Sequence, residues 1–250
     1  MGQILVNPSL GQTMTVNPTL GQTQKLYSGG SNTCLKYLPQ GGPTPTLIRD
    51  LSGRGYNAAF TTAPEPILVN GKWCYQFVSG SLEYCLVPDI VPLLGATAAT
   101  WCAYVRKDAY VSGGTLASDF RNTDTHRKWS LSESGTDGTF AYTVGNGTAT
   151  VAASCTGYST GAWHFVWMRY TGNSATGLEA GVDATVATPV STTTVTALGS
   201  TGAQAHTYIG MQYSGAWASM TLGALTIWPR AITDAELSQW RWDMKAKLGL

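Results

Sequence analysis

Five glutamates are spread over 250 residues (Glu65, Glu83, Glu133, Glu179 and Glu236), and no two lie within five residues of each other. A retaining glycosidase needs two carboxylates about 5 Å apart, one as acid and one as nucleophile. The nearest local acidic pair, Asp234 and Glu236, stands where it would cap a helix. The three histidines offer as little. His126 and His206 have no partner at metal-ligand spacing, and His164, beside Trp163, reads as a hydrogen-bonded structural residue. Neither Ser154, Ser159 nor any other serine sits in a G-x-S-x-G elbow. Asn146-Gly147-Thr148 is formally a glycosylation sequon, but Asn-Gly is also the strongest short hairpin signal, and the turn reading is preferred. The expectation is therefore a protein that is not an enzyme.

Binding chemistry has one loop candidate. Nine tryptophans are present, and most fall in strand patterns or on the C-terminal helix, where the core is the default. Trp217 differs: it lies in the Gly/Ser-rich stretch YSGAWASM with Tyr213 nearby. Aromatic rings on such a loop could stack on a sugar, so Trp217 and Tyr213 are the candidate glycan-binding residues.

Composition narrows the partners. Charged residues make up only 12%, about half the usual ~25%, and the net charge is +1. No basic field exists to attract phosphates or anionic lipid, so neither nucleic acid nor membrane is an expected partner. No run approaches the ~18 apolar residues of a membrane span. Residues 1–13 lack a basic start and an apolar stretch of signal-peptide length, so synthesis in a cytosol is expected. Five scattered cysteines (Cys34, Cys74, Cys85, Cys102 and Cys155) form neither a disulfide framework nor a zinc pattern and read as mostly reduced thiols.

The elements fall into two regions. Residues 1–46 hold five of the eleven prolines and two charges, and they contain one decapeptide twice, VNPSLGQTMT and VNPTLGQTQK. Two copies are too few for a solenoid. The region reads as an extended arm plus turns, with Val6, Asn7, Pro8, Leu10, Val16, Asn17, Pro18 and Leu20 as its docking residues. From Leu47 the text is β-like, with short β-branched and aromatic runs between Gly, Asn, Asp and Ser clusters. KWCYQFV and LEYCLVP read as a hairpin about Ser79-Gly80-Ser81, with Cys74 and Cys85 nearly opposite. WHFVWMRY is apolar on both alternating faces, which suits a strand covered on both sides. One helix is expected in ITDAELSQWRWDMKAKLGL, with a Thr233/Glu236 capping box, an Ile232/Leu237 staple and a buried stripe of Leu237, Trp240 and Met244.

In order, RDLSGRGYNAAF, WCYQFVSGSLEYCLVPD, ATWCAYVRKDA, GAWHFVWMRYTG, LEAGVDATVA, TYIGMQ and ALTIWPRAITDAELSQW resemble the laminin-G-like branch of the concanavalin A-like lectin/glucanase superfamily. The resemblance runs from about Arg49 to Leu250. It implies an all-β, two-sheet antiparallel jelly-roll sandwich over residues 47–250, with an N-terminal arm and one C-terminal helix. No cofactor is expected. Ca²⁺ is the ion the superfamily suggests, but the loop carboxylates that would hold it are replaced, for example by Leu222-Gly223-Ala224. The chain ending WRWDMKAKLGL also resembles laminin-G-like proteins of phage genomes. With the uncharged arm and low-charge surface, this implies a structural protein of a tailed-phage virion, displayed on the particle as a head decoration or fibre/tail component. Its partners would be a capsid or other virion protein through the arm, further copies of itself in a homo-oligomer, and cell-surface polysaccharide. The alternative is a free extracellular or cell-surface lectin.

Overall fold

In the computed structural model, residues 33–38, 46–119, 128–172, 177–189, 194–199, 207–212 and 215–250 are described. Two antiparallel sheets face each other. The first, the helix-side sheet, runs β14 (Thr185–Val186), β13 (Leu178–Val182), β12 (Trp163–Thr171), β7 (Ala98–Lys107), β17 (Met220–Trp228), β5 (Lys72–Phe77), β4 (Glu65–Val69), with β1 (Leu35–Tyr37) also paired to β17. The second, the far sheet, runs β15 (Thr188–Pro189), β11 (Thr150–Thr156), β10 (Thr139–Gly145), β9 (Lys128–Glu133), β8 (Thr115–Asp119), β16 (Thr207–Ile209), β6 (Tyr84–Val87), β3 (Ala58–Thr62), β2 (Leu47–Ile48). The sandwich expected from the sequence is present.

Period-2 alternation explains which residues fill it. In β12, Val166, Met168 and Tyr170 enter the core between the sheets, while Phe165 and Trp167 point the other way. That outer face is covered by the α-helix α1 (Asp234–Leu248), through Leu237, Trp240, Met244 and Leu248. β17 is buried along its whole length for the same reason. The helix begins as expected: the Thr233 hydroxyl accepts from the Glu236 N–H at 3.2 Å, and the Glu236 carboxylate accepts from the Thr233 N–H at 2.8 Å. It ends at Gly249 in the left-handed conformation.

Three expectations are corrected. Residues 33–38, assigned to the arm by their proline-rich surroundings, belong to the sandwich: Leu35 pairs with Ile227 and Tyr37 with Leu225, and both are buried. KWCYQFV and LEYCLVP do not form a hairpin. β5 lies in the helix-side sheet and β6 in the far sheet, because a 3₁₀ turn at Ser79–Ser81, closed by Leu82 at φ 54°, carries the chain across. Cys74 therefore packs under α1 and Cys85 between the sheets. The true partner of β5 is β4, joined through Asn70-Gly71, both at positive φ, the two-residue hairpin such a pair favours. The Asn146-Gly147 turn does join β10 to β11. All five cysteines are free and buried. The tandem decapeptide, with Val6, Asn7, Pro8, Leu10, Val16, Asn17, Pro18 and Leu20, lies outside the described residues.

Candidate functional site

The outer face of the helix-side sheet is not wholly closed by α1. Where β7 ends and the antiparallel β12 begins, Tyr104 and Trp163 project toward the helix, and Tyr104 stacks on Trp240 with ring centroids 6.0 Å apart. Beyond that stack the helix leaves a cleft of about 440 Å³. Its far wall is one face of α1, made by Ser238, Arg241, Trp242 and Lys245, residues three and four apart. Trp242 is 69% exposed, which corrects the core default for helix tryptophans. Gly223, at a bulge in β17, permits the approach: a Cβ there would lie 2.8 Å from the Trp163 ring and 2.9 Å from Leu248. A second cavity, on the flank of α1 near Lys36 and Arg230, measures about 50 Å³ and is too small for a sugar.

Asp183 forms the polar rim. It occupies the turn between β13 and β14 at φ 55°, and each oxygen of its carboxylate has a partner: Oδ2 lies 2.8 Å from His164 Nδ1, and Oδ1 accepts the Phe165 N–H at 2.9 Å. Burial pushes the Asp183 carboxyl up, but His164, the Phe165 N–H and Arg241 outweigh it and leave the pKa below its ordinary value. Arg241 donates from Nη1 to the Asp183 carbonyl at 3.2 Å and lies over the Phe165 ring at 5.6 Å.

His164 also approaches Ser159, whose Oγ is 3.3 Å from Nε2, so serine, histidine and aspartate stand in line. Nothing in the spacing of these three residues signals the grouping. In a hydrolase the serine hydroxyl is hydrogen-bonded to Nε2, which takes its proton. Here both the N–H and the carbonyl of the Ser159 main chain lie 3.0 Å from Nε2, closer than the hydroxyl, so whichever tautomer His164 adopts, Nε2 is engaged by the Ser159 backbone. The arrangement serves to clamp the loop after β11 to the β13–β14 turn.

Trp217 is half-buried. Its backbone bridges Thr115 and Met211, its ring packs within 3.0 Å of the position a Gly215 Cβ would take, and its Nε1 is enclosed. Tyr213 lies outside the described residues. Among the described residues, no three His, Cys, Asp or Glu side chains are grouped so as to hold a metal ion.

No family model matches the chain, and no curated protein matches it. Solved structures do. The binding domain of Paraclostridial Mosquitocidal Protein 1 superposes with a TM-score of 0.64 at 12% identity, over 84% of this chain and 51% of that one. The binding domain of botulinum neurotoxin DC in complex with SialylT gives 0.58 at 11% identity, over 85% and 51%. Trypanosoma rangeli sialidase in complex with a difluoro-KDN sugar gives 0.54 at 15%, over 81% and 31%. What is shared is the fold. The chain spans about half the length of the toxin domains and less of the sialidase. These likenesses agree with a two-sheet β-sandwich and do not single out the laminin-G-like branch.

Proposed function

We propose that this domain is a non-catalytic carbohydrate-binding sandwich that holds a sugar ring in the cleft between α1 and the helix-side sheet. One observation carries the reading: an open cleft of about 440 Å³ pairs the largely exposed Trp242 with Trp163 and ends in polar groups from α1 and the Asp183 turn. Small-ligand sites combine apolar walls with a few converging polar groups in this way. Two of the similar structures contain sugar-type ligands in complexes with the larger proteins, which adds support at the level of fold. We assign the virion setting to the arm: residues 1–32 would attach the protein to a phage particle and the sandwich would be displayed.

The cleft is tested by a glycan array followed by calorimetry on wild type, Trp242→Ala and Trp217→Ala. Binding lost in the first variant and kept in the second is expected. Failure of wild type to bind any glycan, or equal binding by Trp242→Ala, would sink the reading. Deleting residues 1–30 is expected to leave a folded domain that no longer attaches to its particle, and undiminished attachment would refute the role of the arm.

A further inference from the structure

The geometry points to a sugar bearing a carboxylate, a uronic- or sialic-acid-type unit, as the ligand of this cleft. This inference rests on the carbohydrate reading above and deepens it. Three charged side chains line the cleft: Asp183, Arg241 and Lys245. The Asp183 carboxylate is ionised and lies partly exposed at the rim, but each of its oxygens is already committed, one to His164 and one to the Phe165 N–H, so it is held in place and counts as one negative charge against two cations. The cations are not spent in the same way. Arg241 is held by its contacts with the Asp183 carbonyl and the Tyr104 hydroxyl and by the Phe165 ring, which leave part of its five-donor fork for a ligand. A guanidinium fixed in that manner presents its remaining donors at little further entropic cost and matches a carboxylate as a two-pronged fork.

Lys245, one helical turn on, is exposed and forms no ion pair among the described residues. The nearest carboxylate along the helix, Asp243, accepts a hydrogen bond from Gln239 Nε2 at 2.8 Å and does not line this cleft. The cleft thus carries two cationic side chains against one carboxylate, on a protein whose net charge is only +1. That local excess favours an anion. The flat rings of Trp242 and Trp163 favour one carried on a ring with an apolar face, and the Ser238 hydroxyl at the same wall can meet a sugar hydroxyl. A nucleic acid would need a basic surface that extends beyond one cleft, and the composition provides none.

The full chain is titrated calorimetrically with methyl β-D-glucuronide, its neutral counterpart methyl β-D-glucoside, N-acetylneuraminic acid and a short oligothymidylate. The carboxylated sugars are expected to bind about tenfold tighter than the glucoside, the equivalent of one good charge-assisted contact. That preference should shrink in Lys245→Gln, whose exposed side chain can be changed without threat to the fold, and at high ionic strength. Arg241→Lys keeps the charge but loses the fork and should lose most of the preference. Equal binding of glucuronide and glucoside, both abolished by Trp242→Ala, would overturn the charge inference and keep the carbohydrate reading. Binding of neither kind of sugar would overturn both, and tighter binding of the oligonucleotide than of either sugar would overturn the choice of ligand.

Discussion

Arg106 and Lys107 are neighbours on β7, and the pleat sends them to opposite faces of the sheet. Arg106 points outward, lies 6.0 Å from the Trp163 ring and bonds Asp108 and Thr221 near the cleft. Lys107 points inward and is fully buried, between the Tyr110 and Tyr158 rings, ion-paired to Asp137 and 3.7 Å from Glu133. Glu133 is 4% exposed: its Oε2 accepts the Val111 N–H, while its Oε1 has no partner. This inner end also has its tryptophan, Trp217, whose carbonyl lies against Gly114, the residue that accepts the Glu133 N–H. Both regions hold cations, a carboxylate and tryptophans. At the inner end the partners are supplied by the protein, and the charges serve the fold. On the outer face Arg106 is paired with Asp108, but at the helix wall Lys245 has no ion pair among the described residues and Arg241 meets no carboxylate directly, and so the outer face is the one available to a ligand.

The largest effect expected follows from that difference. Lys107→Met strands the buried Glu133 without its cation, and breaking a buried pair from one side costs about 3–5 kcal/mol, whereas Asp137 is exposed and solvated by water. Urea denaturation at pH 8 should show it. Sugar binding by the fraction that remains folded should be unchanged. A loss below about 1 kcal/mol would show that the inner end is as solvated as the outer and would remove the contrast.

Glu133 supplies the next test. Burial pushes its carboxyl up to about 7, against the Val111 N–H and the Lys107 charge that hold it down. A carboxyl whose pKa rises on folding keeps its proton in the folded state after the unfolded chain has released it. Stability from this group is therefore present at low pH and falls as pH climbs from about 4.5 to about 7. Glu133→Gln should remove that slope and leave the variant more stable than wild type at pH 8 by about 1–3 kcal/mol. Thermal melts across pH 4–8 decide it, and parallel curves for the two proteins would disprove the shift.

How much of this could be read beforehand depends on the range of the interaction. The helix was legible because capping box, staple and buried stripe lie within fifteen residues. Its wheel also held the cleft tryptophan: with Leu237, Trp240 and Met244 inward, Trp242 must face out, and only the blanket assignment of helix tryptophans to the core hid it. Asn70-Gly71 signals its hairpin as plainly as Asn146-Gly147, whereas Ser79-Gly80-Ser81, which looks like a turn of the same kind, carries the chain between sheets. Local pattern has no sign for a change of sheet. Nor does it for β1, whose partner Ile227 is 192 positions away from Leu35, or for the Asp183–His164 contact across nineteen residues. Lys107 and Glu133 were invisible for another reason: a charged residue in a strand reads as solvent-facing until its partner is known.

The smallest effects give the finest comparison, between Trp217 and Trp242. Truncating a fully buried tryptophan costs about 3–5 kcal/mol through lost contacts and the cavity left behind. Trp217 is half-buried, with its ring against Gly215 and its backbone paired on both sides, so Trp217→Ala should cost a part of that, about 1–2 kcal/mol. Trp242 stands largely in solvent on a helix whose opposite stripe does the packing, and Trp242→Ala, which also raises helix propensity, should change stability by less than about 0.5 kcal/mol. The two variants should then sort oppositely, one losing stability and keeping sugar binding, the other keeping stability and losing binding. If Trp242→Ala proves the more destabilising of the two, its ring belongs to the packing of α1 and the outer cleft loses the residue on which its reading depends.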